Sequence, residues 1–111
     1  MMASDILSML RDLLIAQRDS PELCTVPSGL LEQAETTLAT LKKEHLQTGD
    51  ESIIQKHEAL VTVLDDLQEE RAERIWLMAY HQADDVRAMN QQERFIFDIL
   101  TENAAKLRGI A

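Results

Sequence analysis

The feature that constrains the fold most is a pair of arginines inside an apolar helical stripe. From Leu60 to Met78, residues spaced three or four apart form one helical face, which is apolar except at Arg71 and Arg74. An unpaired buried charge costs several kcal/mol. The two guanidinium groups must therefore meet carboxylates inside a helical bundle or point at another protein. Under either alternative this helix is a contact surface.

The composition favours a few long helices. The 111 residues are 45% hydrophobic and include three glycines and two prolines. A chain of that length suits one domain, and the scarcity of turn residues leaves few places for it to reverse. Leu, Ala, Glu and Gln are abundant and form helices well. The sequence predicts an all-α fold, a bundle of four main helices in a single domain over residues 1–111.

Helix start and stop signals place the first two helices. Ser4 is a good N-cap for the first helix, and Ser20–Pro21 ends it, because the residue before a proline avoids helical angles. The second helix begins near Pro27 or Ser28 and continues to about Gln47. The Thr48–Gly49 pair that follows is a C-terminal stop signal.

The third helix is the long one. Asp50 caps it, and the helix is expected from about Glu51 to about Asp84, with an apolar stripe from Ile53 to Met78. This predicts about 30–35 residues and a length on the order of 50 Å. Such a helix exceeds a compact domain of this size, so part of it should project or pack on another chain.

The fourth helix opens with a capping box. The Asn90 side chain can accept from the amide of Glu93, and the Glu93 side chain can reach back to Asn90. Gly109 ends the helix. Its expected apolar residues are Phe95, Ile96, Ile99, Leu100 and Leu107.

Charge and cysteine content narrow the function classes. The net charge of −9 repels phosphate backbones, so strong direct nucleic-acid binding is not expected. The single cysteine, Cys24, cannot form an internal disulfide, which fits a reducing cytosol. No apolar run approaches the roughly 20 residues of a membrane span. We therefore expect a cytoplasmic protein without membrane contact.

An acidic run supports one enzymatic alternative. Glu69, Glu70 and Glu73 form an EExxE spacing that can hold Mg²⁺, as in the all-α nucleotide pyrophosphatases. Those enzymes need a second, ExxD-type pair on a later helix, and Glu93 is instead followed three positions later by Ile96. The simpler interpretation is a solvated face with an i,i+4 pair between Glu70 and Arg74. We expect no catalytic residue, cofactor or metal site.

The aromatic residues of the third helix are the remaining candidates. Trp76 and Tyr80 lie one turn apart, off the main stripe, and suit either a core or an interface. The candidate interface or packing residues are Arg71, Arg74, Ile75, Trp76, Met78 and Tyr80.

Two segments together resemble a known family. The first reads Leu64-x-x-Leu67-x-x-x-Arg71-x-x-Arg74-Ile75-x-x-x-Ala79, and the second Met89-Asn90-Gln91-Gln92-Glu93-x-Phe95-x-x-x-Ile99-Leu100. This order resembles the helical A-domain of GINS subunits, in particular the archaeal subunit with the A-domain first. Arg74 stands where lysine is usual and Asn90 where threonine is common. Such subunits continue into a small β-rich B-domain, which is absent from this sequence.

The resemblance implies a non-enzymatic scaffold. GINS is a tetrameric DNA replication factor that joins the MCM helicase to a RecJ-like protein at the fork. The expected partners are other GINS subunits, in a homo- or hetero-tetramer, and those two proteins through the assembled complex. The chain would then be nucleoid-associated through the replisome. A generic helical adaptor that dimerises through the long helix is a further alternative.

Overall fold

The computed structural model describes residues 3–109 and is all-helical over that range. Its elements are α1 (Ala3–Asp19), α2 (Leu30–Thr48), α3 (Glu51–Tyr80) and α4 (Gln91–Leu107). The prediction of four helices with one long member is confirmed. At 30 residues, α3 is about 45 Å long and forms the axis on which the other three helices pack.

Three of the predicted end signals are found at the caps. The Asp50 carboxylate accepts from the amide of Ser52 at 2.9 Å, and this hydrogen bond lowers the pKa of Asp50. Gly49 adopts the left-handed conformation that ends α2, with φ at 68°. The capping box between Asn90 and Glu93 is also complete. Local chemistry therefore determines the start of α3 and of α4.

Three other helix ends differ from the sequence-based expectation. Ser4 lies inside α1, which begins at Ala3, so it is not the N-cap. The second helix starts at Leu30, because Gly29 directly before it is left-handed. The third helix ends at Tyr80 rather than near Asp84.

A Schellman motif explains the early end of α3. Gln82 has a φ of 57°, the Ala83 amide donates to the Met78 carbonyl at 2.9 Å, and the Gln82 amide donates to the Ala79 carbonyl at 3.2 Å. This position usually holds glycine or asparagine. Because glutamine is not a recognised stop signal, the sequence did not reveal the end.

A first apolar core lies between α1, α2 and the N-terminal part of α3. Its buried residues repeat every three or four positions along each helix, as an amphipathic bundle requires. Leu60, Leu64 and Leu67 of the apolar stripe expected for α3 are buried here. The core consists of Ile6, Leu10, Leu14, Leu30, Ala34, Leu60, Val63, Leu64 and Leu67.

A second, smaller core lies between α4 and the C-terminal part of α3. Ile75, Ala79 and Phe97 are its buried members. The partly buried residues around it come from both helices and both longer connectors: Leu23, Met78, Val86, Met89 and Leu100. The two cores follow each other along α3, which gives the molecule dimensions of 57 × 24 × 19 Å.

The residues of α4 that are buried differ from the expected ones. Phe95, Ile96 and Ile99 point outward, and Phe95 is 68% exposed. Phe97, which was not among the expected core residues, is only 5% exposed, and Ala104 is fully buried. Phe95-Ile96-Phe97 is a run of three apolar residues, so hydrophobic periodicity alone cannot choose the buried one.

Truncating the two phenylalanines of α4 should separate these roles. We expect Phe97→Ala to lower the free energy of unfolding by about 3–5 kcal/mol, because it leaves a cavity in the second core. Phe95→Ala should change the free energy of unfolding by less than about 1 kcal/mol, since the Phe95 ring is mostly in solvent. Urea unfolding followed by circular dichroism measures both. Equal losses for the two variants would contradict this orientation of α4.

Candidate functional site

The Arg71 side chain lies between the two cores and is 3% exposed. Its Nε donates to one carboxylate oxygen of Glu93 at 2.8 Å, and its Nη2 donates to the other at 2.7 Å. The Nη2 group also donates to the Ala88 carbonyl at 2.9 Å, and Nη1 donates to the Cys24 carbonyl. A bidentate, charge-assisted pair of this kind is among the strongest side-chain interactions.

These hydrogen bonds connect four segments of the chain. Arg71 belongs to α3, Glu93 to α4, Cys24 to the connector between α1 and α2, and Ala88 to the connector before α4. A single guanidinium therefore holds both connectors and α4 against the long helix.

Glu93 has two roles in this arrangement. Its Oε1 accepts from the Asn90 amide at 3.1 Å, while the Glu93 amide donates to the Asn90 side chain at 2.8 Å. The capping box fixes the first turn of α4 and aims the carboxylate at Arg71. Sequence analysis identified the box but did not assign Glu93 as the partner of the arginine.

Arg74 caps the C-terminal end of α1. Its Nη2 donates to the Gln17 carbonyl at 3.0 Å and to the Ser20 carbonyl at 3.2 Å. Its Nη1 donates to the Glu70 carboxylate, one turn earlier, at 2.8 Å. A cation at this position satisfies the last carbonyls of a helix and complements its dipole.

Gln17 is a buried residue that the sequence reasoning missed. Its side chain is fully enclosed, donates through Nε2 to the Glu22 carbonyl at 2.8 Å and accepts at Oε1 from the Cys24 amide at 2.9 Å. It follows Leu10 and Leu14 at helical spacing, so a search for polar residues continuing an apolar stripe would have found it. Gln17 fixes the connector that carries the Cys24 carbonyl to Arg71.

Both arginines thus have their hydrogen-bonding partners within this chain. The residues near them divide into two groups. Ile75 is buried in the second core and Met78 is half-buried against it. Trp76 and Tyr80 point away from both cores and are 43% and 41% exposed.

The guanidinium of Arg108 covers part of Tyr80. The Arg108 Cζ lies 5.2 Å from the centre of the Tyr80 ring, and its Nη1 donates to the Tyr80 carbonyl at 2.8 Å. The contacts of Glu93 with Arg71 and of Arg108 with Tyr80 show that α4 runs in the same direction as α3.

The acidic residues of the EExxE spacing in α3 also divide into one that faces the protein and two that face solvent. Glu70 turns toward α1 and lies within ion-pair distance of Arg74 and Arg18, at 2.8 and 3.6 Å. Glu69 and Glu73 are exposed on the outer side of the helix. Within residues 3–109, no group of three or more His, Cys, Asp or Glu side chains is placed to hold a metal ion.

One open groove lies between α1 and α3. It has a volume of about 420 Å³ and is lined mainly by surface side chains, including Arg11, Gln55, Glu58 and Asp66. Ligand pockets usually enclose most of the ligand surface. This groove is a shallow depression between two helices.

A local ion pair lies in the connector before α4. Arg87 donates from Nε and Nη2 to the two oxygens of the Asp85 carboxylate, at 2.9 and 2.8 Å. With the Arg87 amide, these hydrogen bonds lower the pKa of Asp85 to about 2 and raise the pKa of Arg87. Both side chains are exposed to solvent, at 90% for Arg87 and 62% for Asp85.

None of the helices in the described range is long and apolar enough to cross a membrane. No model of a known protein family matches the chain, and no curated protein sequence does either.

The buried pair gives a direct prediction for Arg71→Ala. It should lower the free energy of unfolding by about 3–5 kcal/mol, because it leaves the Glu93 carboxylate and two carbonyls without their partner. Arg87→Ala is the matched control: it also removes an arginine–carboxylate pair, but one exposed to solvent, and should cost less than about 1 kcal/mol. Thermal and urea unfolding measure both. A loss below about 1 kcal/mol for Arg71→Ala would exclude the structural role of this pair.

Proposed function

We propose that the chain is a non-enzymatic scaffold subunit of a GINS-type DNA replication complex that bridges the MCM helicase and a RecJ-like partner. The observation that carries this proposal is the distribution of polar and apolar side chains on α3 and α4. Its arginines are satisfied inside the chain, while large apolar residues of α3 and α4 remain on the outside. A helix pair that is joined by internal hydrogen bonds and exposes apolar side chains is suited to assembly with other subunits.

Most residues that carry the resemblance lie in the interior of the fold or at a helix cap. Along α3, the buried members of the pattern Leu64, Leu67, Arg71, Ile75 and Ala79 contact the two cores or the buried ion pair. The pattern at the start of α4 supplies the cap and the carboxylate for Arg71. The similarity to the GINS A-domain therefore lies in residues that build the domain, which is compatible with a shared fold.

The outward side of α4 is a candidate surface for another subunit. Phe95, Ile96 and Ile99 lie opposite the buried Phe97 and Ala104, and all three are at least 45% exposed. Single exposed apolar residues are common on monomers, but a group on one helical face is typical of an interaction site. Nearby charges are compensated by the pairs of Arg94 with Asp98 and of Lys106 with Glu102. Little charge repulsion would oppose a neighbouring subunit there.

The overall charge fits a protein that acts through other proteins. A net charge of −9 disfavours the phosphate contacts that supply most of the affinity of DNA-binding proteins. In the proposed complex, this chain contacts other proteins rather than DNA.

Assembly through α4 can be tested by light scattering and co-purification. The chain, alone or with a candidate paralogous subunit, should form a defined oligomer that retains the MCM helicase and the RecJ-like protein. Phe95→Asp should reduce that assembly by at least about tenfold in apparent affinity, because it places a charge in an apolar interface. Its melting temperature should stay close to that of the unmodified chain.

Leu46→Asp is the matched control, since Leu46 is also a highly exposed apolar residue but lies on α2. This variant should assemble normally. A chain that stays monomeric in every mixture, and that retains neither the helicase nor the RecJ-like protein, would contradict the proposed function.

A further inference from the structure

Five exposed residues form a continuous line on α3, which we name the outer strip: Asp65, Glu69, Glu73, Trp76 and Tyr80. Their spacing of four, four, three and four residues keeps them on one helical face. The strip is about 22 Å long at 1.5 Å per residue, which is the length of a four-turn helix laid against it. Its N-terminal half is acidic and its C-terminal half is aromatic.

The acidic half lacks compensating charge in the described part of the chain. Neither Asp65 nor Glu69 lies within 4 Å of a basic group there, as the ion pairs of α3 use Asp66, Glu70 and Glu73. The Glu73 contact is long, at 3.7 Å from an Arg74 nitrogen that is hydrogen-bonded to Glu70. Like charges four residues apart destabilise a helix, so a cation brought to this face relieves a repulsion.

The aromatic half supplies the contact area. Trp76 and Tyr80 each keep about two-fifths of their surface in solvent, although both are large apolar groups. Tryptophan and tyrosine at the centre of a contact often contribute most of its binding energy. The Arg108 guanidinium packs on part of the Tyr80 ring.

We infer that the outer strip docks a helical segment of a different protein, which carries lysine or arginine opposite the acidic half and apolar side chains opposite Trp76 and Tyr80. Electrostatic complementarity selects the partner. The same strip on a second copy of this chain does not meet the requirement. A parallel copy would set carboxylate against carboxylate, and an antiparallel copy would bury unpaired carboxylates against aromatic rings.

This inference rests on the scaffold role proposed above, and it adds the chemistry of one partner. The docking surface differs from the outward side of α4 proposed for subunit assembly. Binding at the outer strip can therefore be measured on the isolated chain, whether or not the replication factors join it.

The test uses the fluorescence of Trp76, the single tryptophan of the chain. The probe is a synthetic 16-residue helical peptide without aromatic residues, which carries lysine on one half of a face and leucine on the other half. We expect saturable 1:1 binding with a shift of the Trp76 emission to shorter wavelength. A peptide of the same composition with the face scrambled should bind at least about threefold more weakly, because its lysines and leucines no longer share a face.

Two double variants with equal net charge separate docking from general attraction. Glu69→Gln with Glu73→Gln should weaken binding by about threefold to tenfold, the range for two surface ion pairs. Glu35→Gln with Glu44→Gln changes two exposed residues of α2 and should leave binding within about twofold. Equal weakening by the two double variants, an unshifted Trp76 emission or no binding would each overturn the inference.

Discussion

The fold depends on one buried ion pair, between Arg71 in α3 and Glu93 in α4. Removing charges from water is costly, so such a pair stabilises a protein only when the remaining donors and acceptors are also satisfied. Here the same guanidinium binds the carbonyls of Cys24 and Ala88. The pair joins two apolar cores that follow each other along α3, and it fixes which side of α4 faces inward. Replacing either partner would leave a buried charge rather than a simple gap.

Several helix ends could be predicted because their signals are local. Asp50, Gly49 and the capping box at Asn90 act within a few residues of themselves, so their effects are visible in the sequence. The need of Arg71 and Arg74 for partners was also predictable, because they interrupt an apolar stripe. The identity of those partners was not, since Glu93 lies 22 residues away from Arg71 and Ser20 lies 54 away from Arg74.

The orientation of α4 also depends on a contact between residues that are distant in the sequence. Phe95, Ile96 and Phe97 are chemically similar, and the long-range contact of Glu93 with Arg71 decides which of them is buried. The consequence reaches the surface, because turning Phe97 inward turns Phe95, Ile96 and Ile99 outward. The proposed assembly surface is therefore a product of the buried pair. The sequence indicated a contact helix, and in the proposed function the contact residues are the outward ones of α4.

The most direct test of this dependence is a double-mutant cycle on Arg71 and Glu93. The free energies of unfolding of Arg71→Ala, Glu93→Ala, the double variant and the unmodified chain would be compared by urea unfolding. The cycle cancels the separate contribution of Glu93 to the helix cap. If the pair organises the fold, the two substitutions will be non-additive by about 1–3 kcal/mol, with the double variant less destabilised than the sum of the single variants. Additivity within about 0.3 kcal/mol would contradict it.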